Sequence, residues 1–292
     1  MPDVIERINE QVKALGADWA KYSVVGSFVL YLFGYLSLRF HLSAFGVSTD
    51  LAVLDERYLF NGARFLVYAV SAIPSIVLLA LPFVVVVWLV HRITPTQHRN
   101  RLRNTLGTPS ALTISGILLS VSAIQFVMRQ CFYFSDLLLA PALPAQPAWL
   151  VSILLDDQLM PVYFTVLVAF TLASSCLLWL SKSHHPSATL RTGRALLGLL
   201  TAVEFLLLPI NFGILVADQS VPRVAAVRSE PLATGEEAWL IWEGKDYVTF
   251  LVRHAQAGKR SLLSIPRADI KQIEVVSIDP ILRTLFGAGS RQ

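Results

Sequence analysis

Glu204 stands in the middle of an aliphatic stretch, Leu200-Thr201-Ala202-Val203-Glu204-Phe205-Leu206, and Pro209, Asn211 and Gly213 follow it closely. An ionisable side chain at such depth costs about 3 kcal/mol to insert into a bilayer, and it normally faces the protein interior, a water-filled cavity or a partner charge. Proline removes one backbone donor and leaves a carbonyl free, and a helix broken at membrane depth can offer such groups to an ion or substrate. Glu204, Pro209 and Asn211 therefore mark a candidate intramembrane polar site or hinge. The plainer reading, and the favoured one, is a kinked helix whose polar groups tie it to its neighbours. Gln125, Ser115, Ser120 and Ser122 on a third apolar run can meet the carboxyl, as can Tyr31 and Tyr35 on the first and Thr165, Thr171, Ser174 and Ser175 on the fourth. Arg39 and Arg129 lie near the outer ends of their runs, one or two turns from the level of Glu204.

Other candidate chemistry is thinner. Asp156 and Asp157 are adjacent at the start of the fourth run, where they can hold a divalent ion with help from other groups; a solvated helix start that complements the dipole is the commoner role. The histidines do not form a cofactor set, because none lies mid-run to ligate a buried haem. His184-His185 has no carboxylate or cysteine beside it to complete a metal site. The sequence holds no Walker loop, dinucleotide fingerprint, HExxH or GxSxG. Cys131 and Cys176 form no CxxC. No cofactor is expected, and the enzyme reading leans to no. An enzyme acting on lipid or glycan through Asp156, Asp157 or Glu204 ranks last, because no second convergent group accompanies them.

These residues are positioned by apolar elements. The chain has 292 residues, 54% of them hydrophobic and 15% charged, and its mean hydropathy is +0.59. A soluble domain is nearer a quarter charged, so lipid is the expected solvent. Five runs, at residues 23–40, 66–90, 111–134, 161–180 and 195–217, are each near the length of about 20 residues that a helix needs to span the hydrocarbon core. They lack strand alternation. No internal repeat of the kind common in transporters is visible.

Charge sets the orientation. The net charge is +4. The loop at 91–110 carries Arg92, Arg99, Arg101 and Arg103, the loop at 181–194 carries Lys182, Arg191 and Arg194, and neither has an acid. That is the distribution of topology determinants, not of a nucleic-acid surface, and it puts both loops in the cytoplasm. Five spans then give an N-terminus inside and a C-terminus outside. A sixth crossing in 137–155 would reverse the C-terminal side, but Pro141, Pro144 and Pro147 argue for an outer loop and a short interfacial helix there.

The flanks complete the organisation. Residues 1–22 hold Val4, Ile8, Val12, Leu15 and Trp19 at helical spacing, an amphipathic interfacial helix on the cytoplasmic side. In the 41–65 loop, Ser48-Thr49-Asp50 offers N-caps to a second interfacial helix, which Asn61-Gly62 closes, with Tyr58, Phe60, Phe65 and Tyr68 at the headgroup level. The transmembrane part spans 23–218. Residues 219–292 change to period two, with strands expected at 238–242, 247–253, 261–265 and 270–278 and a candidate fifth at 222–228. Within the fourth, Ile273, Val275 and Val276 are expected inward. This is a small antiparallel β-domain, a meander or SH3-like barrel. The fold class is thus an α-helical integral membrane bundle followed by a β-domain.

Two functions compete. One is a multi-pass anchor or accessory subunit of a cell-envelope complex in the bacterial inner membrane, presenting the β-domain to a protein partner or a second copy. The other is an ion channel or transporter subunit using Glu204 and the Pro209–Asn211 break. The bilayer is a partner in either case, and nucleic acid in neither.

Overall fold

The computed structural model describes residues 19–47, 56–93, 108–139, 159–182, 187–216, 220–227, 230–231, 236–254 and 260–280. Five helices come first: α1 (Trp19–Ala44), α2 (Glu56–Ile93), α3 (Pro109–Leu139), α4 (Leu159–Leu180) and α5 (Ala188–Leu215). All five are long and apolar enough to cross a membrane. Seven strands follow: β1 (Ser220–Val224), β2 (Ala226–Val227), β3 (Glu230–Pro231), β4 (Glu237–Glu243), β5 (Tyr247–Arg253), β6 (Arg260–Pro266) and β7 (Val275–Pro280). The chain is a multi-pass helical membrane protein with a C-terminal antiparallel β-sheet.

Each helix outruns the apolar run that announces it, because caps and first turns extend past the hydrocarbon. Ser187 caps α5, its Oγ accepting from the Leu190 N–H at 3.2 Å. The helix therefore takes Arg191 and Arg194 out of the expected loop and into its first turns. It also runs unbroken through Pro209, which corrects the expected break at Pro209–Asn211. The backbone consequence is confined to the Phe205 carbonyl, which loses its intrahelical donor.

The expected end of the second interfacial helix is likewise corrected, while its expected start at 48–55 lies outside the described residues. Residues 56–65 are the first turns of α2, and Asn61-Gly62 lies within it. Gly62 faces the backbone of α1, where an added Cβ would fall 1.9 Å from the Leu30 carbonyl oxygen; at Gly34 it would fall 1.7 Å from that of Tyr58. Two glycines thus interlock two backbones, the close approach that small residues permit between membrane helices. Tyr58 is fully buried, edge-on to Tyr31 and Tyr35 at 5.2 and 5.5 Å. Phe65 is buried too, and Phe60 alone of the expected belt is strongly exposed. Residues 1–18 of the expected N-terminal helix, and 140–155 of the proline-rich segment, lie outside the described residues.

Residue pairs fix the helix directions. Gly34 at Tyr58 and Gly62 at Leu30 make α1 and α2 antiparallel. Ser120 bonded to Ser174, and Phe126 against Tyr163, do the same for α3 and α4. Gly116 against Leu197, and Cys131 at Asn211, make α3 and α5 parallel. Gly213 meets the Ser37 backbone, so the C-terminal halves of α1 and α5 lie together. Ala44, Glu56, Leu139, Leu159 and Leu215 accordingly share one end, and Arg92, Lys182, Arg191 and Arg194 share the other.

The main sheet has the order β6-β5-β4-β1-β7, antiparallel throughout. β6 and β7 are its edges, and among the described residues no pairing closes it into a barrel. Its strands bury both faces. Val224, Ala238, Val248, Phe250, Val252 and Ile265 form the domain's own core. Val221, Trp239 and Leu251, on the opposite face, join the helical core with Leu38, Phe212 and Leu215. The fourth expected strand is corrected: a 3₁₀ turn at Arg267–Asp269 is followed by irregular chain, and the strand starts only at Val275. Val275 and Val276, expected inward, are exposed, because β7 is an edge and lies outside the area that the bundle covers.

Candidate intramembrane polar site

Glu204 is 4% exposed. Nearly uniform apolarity gives α5 no obvious inward stripe, so its inner face is set by what it meets. That face carries Leu197, Thr201, Glu204, Leu207, Leu208 and Asn211. Ser174 of α4 donates its hydroxyl hydrogen to Glu204 Oε1 at 3.1 Å, and Ser120 of α3 donates to Ser174 Oγ at 3.1 Å. The second carboxyl oxygen, Oε2, is buried and has no hydrogen-bond partner. Among the described residues no cation pairs with the group.

Two turns further along, Asn211 is fully buried. Its Nδ2 donates to Tyr163 Oη of α4 at 3.2 Å and to Cys131 Sγ of α3 at 3.7 Å, while Oδ1 is unmet. Turning the amide over would exchange which end is satisfied and still leave one end dry. Next, Gly213 receives His41 of α1: Nδ1 lies 2.9 Å from the Gly213 carbonyl, which can only accept, so the proton is on Nδ1.

The three helices hold these groups in step. Ser120, Ser174 and Glu204 form one level, and Cys131, Tyr163 and Asn211 form another. Between them lies a small cavity lined by Ala123, Ile124 and Val127 of α3, Leu167 and Thr171 of α4, and Glu204, Leu207 and Leu208 of α5. It is roughly the size of one water molecule.

Several expected partners go elsewhere. Gln125, Ser115 and Ser122 lie on the exposed side of α3, and Arg39 and Arg129 are exposed as well. Thr165 is buried, and Ser175 bonds back to the Thr171 carbonyl. Pro209 is buried in α5 among the packed residues. Tyr31 and Tyr35 hold Tyr58, not Glu204. Asp156 and Asp157, with Arg99, Arg101 and Arg103, lie outside the described residues. Among the described residues no group of three metal-ligating side chains converges. Sequence reasoning missed Cys131 and His41 as neighbours of the site, and neither carries a local signal for it. Gly213, already singled out beside Asn211, was the available hint that another backbone comes close.

The β-domain has its own polar assembly. His254 lies between Glu236 (Nδ1 to Oε1, 2.8 Å) and Ser261 (Nε2 to Oγ, 2.9 Å). The connectivity is that of an acyl-transfer triad, but His254 and Glu236 are 41% and 26% exposed and water competes for every bond. The arrangement pins three neighbouring strands together. Glu237, beside it, is held by Arg223 and Arg253. Burial and the neighbouring charge of Arg253 lower the Arg260 guanidinium from its ordinary value, in that order of importance.

The sheet is fastened to the bundle at the end away from Arg92, Lys182, Arg191 and Arg194. Arg57 of α2 donates to the Glu243 carbonyl at 2.9 Å and lies 5.0 Å over the Trp242 ring. No protein-family model matches this chain, and neither a curated protein nor a solved structure is similar to it.

Proposed function

We propose that this chain is a multi-pass anchor or accessory subunit of a cell-envelope complex in a bacterial cytoplasmic membrane, with its N-terminus inside and its β-domain outside. The observation that carries this reading is the β7 edge. Among the described residues β7 pairs on one side only, with β1, and it exposes Val276 and Ile278 at 63% and 69%. Natural sheets blunt free edges with lysine, proline or a bulge; β7 has a bulge at Val276 and ends in Pro280, so the stretch it leaves open is short. An apolar edge strand that is left open suits strand addition by a partner, in which main-chain bonds supply affinity and side-chain pockets supply specificity. The shared core of Trp239 and Leu251 with the helices would hold that edge at a fixed height over the membrane. The positive-inside rule, applied to Arg92, Lys182, Arg191 and Arg194, supports the outward direction.

Crosslinking in intact cells, followed by purification in mild detergent, tests the reading. A partner or second copy should crosslink through β7, and Ile278→Lys should remove the product while the fold is retained. A solitary monomer, or crosslinking indifferent to the substitution, would sink it. Protease access to the C-terminal domain in spheroplasts tests the orientation separately.

A second reading, an ion channel or transporter subunit, draws on the buried Glu204 carboxyl with its unmet Oε2. Liposome flux that falls in Glu204→Gln would favour it, and a parent protein without flux would remove it.

A further inference from the structure

We propose that Glu204, with the adjoining cavity, is a site that takes up and releases a proton carried with one bound water. The inference holds whether or not the bundle conducts ions. It starts from the hydrogen-bond directions. Ser120 donates to Ser174, and Ser174 donates to Oε1, so that oxygen is served in either protonation state. Oε2 is not. Protonated, it is an O–H whose nearest acceptors, the Ser120 and Thr171 hydroxyls, already donate elsewhere; ionised, it is a charge that no donor meets. Both conditions are costly in the absence of water. Glu204 lines a cavity with room for one water, and a water there would accept from the acid form and donate to the ionised form.

The same geometry argues against a metal cation. A hard cation takes about six oxygen ligands. Apart from Glu204 and Thr171, the lining is Ala, Ile, Val and Leu, and the Thr171 hydroxyl already donates to the Leu167 carbonyl. A proton needs one acceptor and one water, and the carboxyl and the adjoining cavity provide the acceptor and the room.

The exit is asymmetric. Towards the basic end, fully buried Leu197 packs beside Gly116. Towards the β-domain lie the unmet end of Asn211, then Tyr163 and Cys131, then His41 at the Gly213 carbonyl. Of the titratable groups on the elements packed against α5, those shown in contact with it are His41 of α1, Tyr68 of α2, Cys131 of α3 and Tyr163 of α4. Tyr68 faces Phe212, and the others gather at Asn211 and Gly213, not at Glu204.

The apolar reagent dicyclohexylcarbodiimide, which adds to a protonated carboxyl, reads this directly on the full chain in proteoliposomes. Peptide mass spectrometry should find the adduct on Glu204, absent from Glu204→Gln. Its yield should fall about tenfold for each pH unit above the titration midpoint, and sodium at constant pH should not protect. Ser174→Ala keeps the acid and removes its donor, so it should retain the label and move the midpoint. No adduct, or an adduct formed equally at every pH as for a permanently neutral structural carboxyl, overturns the proposal. Protection by sodium reassigns the site to a cation and overturns it as well. An unmoved midpoint in Ser174→Ala removes Ser174 from the site.

Discussion

Two glutamates mark the contrast between the two halves of this molecule. Glu237, on the sheet, is partly exposed and is held by two arginines, Arg223 and Arg253. Glu204, in the bundle, has serine hydroxyls and no cation. In the sheet, water and mobile basic side chains are at hand, so a charge can find an opposite one and little depends on any single pair. In the bundle, only side chains on neighbouring helices can respond, and lipid offers nothing. The lesson is that polar contacts in the β-domain are replaceable, whereas in the helices each is set by backbone proximity. The two interlocked glycines make that proximity possible.

The largest expected effect tests the backbone proximity. Gly34→Ala forces a methyl into the Tyr58 carbonyl and should cost about 3 kcal/mol or more, as overpacking at a rigid contact does. Gly26→Ala meets nothing within 4 Å and should be silent. Thermal melting in detergent compares the two, and equal melting would dissolve the distinction between them. Next is Trp239→Ala. Trp239 is fully buried where the sheet joins the helices, so about 3–5 kcal/mol should be lost. Limited proteolysis should show the β-domain released before the bundle unfolds.

Smaller effects sharpen the comparison of the glutamates. Ser174→Ala removes the donor to Glu204 and should cost about 1 kcal/mol, near the value usual for interhelical hydrogen bonds. Arg57→Ala loses one hydrogen bond and the contact over Trp242, about 1–2 kcal/mol together; the loss should appear as faster cleavage between α5 and β1. Arg267→Ala breaks a pair with Glu243 in which both side chains are nearly half exposed, and the change should be under about 1 kcal/mol and vanish in high salt. If Arg267→Ala cost more than Ser174→Ala, the contrast drawn between the halves would be reversed.

Much of this architecture is legible in the chain because the signals are local. The five runs announce five helices, since length and apolarity alone decide whether a helix can cross a bilayer. The strand at 247–253 coincides with β5, because alternation and β-branched residues suffice to mark it. Glu204 attracts attention by depth alone. Asn61-Gly62, by contrast, reads as a stop and is the middle of a contact. A glycine in a turn and a glycine under a neighbouring backbone look identical in sequence. Gln125 and Ser120 are equally plausible partners for Glu204 on paper, and only Ser120 faces inward. An apolar helix has no polar side by which to tell.

By itself, then, the sequence determined the five long apolar helices seen among the described residues, the gathering of Arg92, Lys182, Arg191 and Arg194 at one end, and the change to strand periodicity after the last helix. Each follows from hydropathy, charge or period within a short window. The tertiary structure decided that Asn211 lies across from Cys131 and Tyr163, that Ser174 serves Glu204, and that one face of the sheet completes the helical core. These depend on the rotation of each helix about its own axis. In a nearly uniform apolar surface that rotation is set by shape at the interface, by glycine against backbone, and no single segment encodes it.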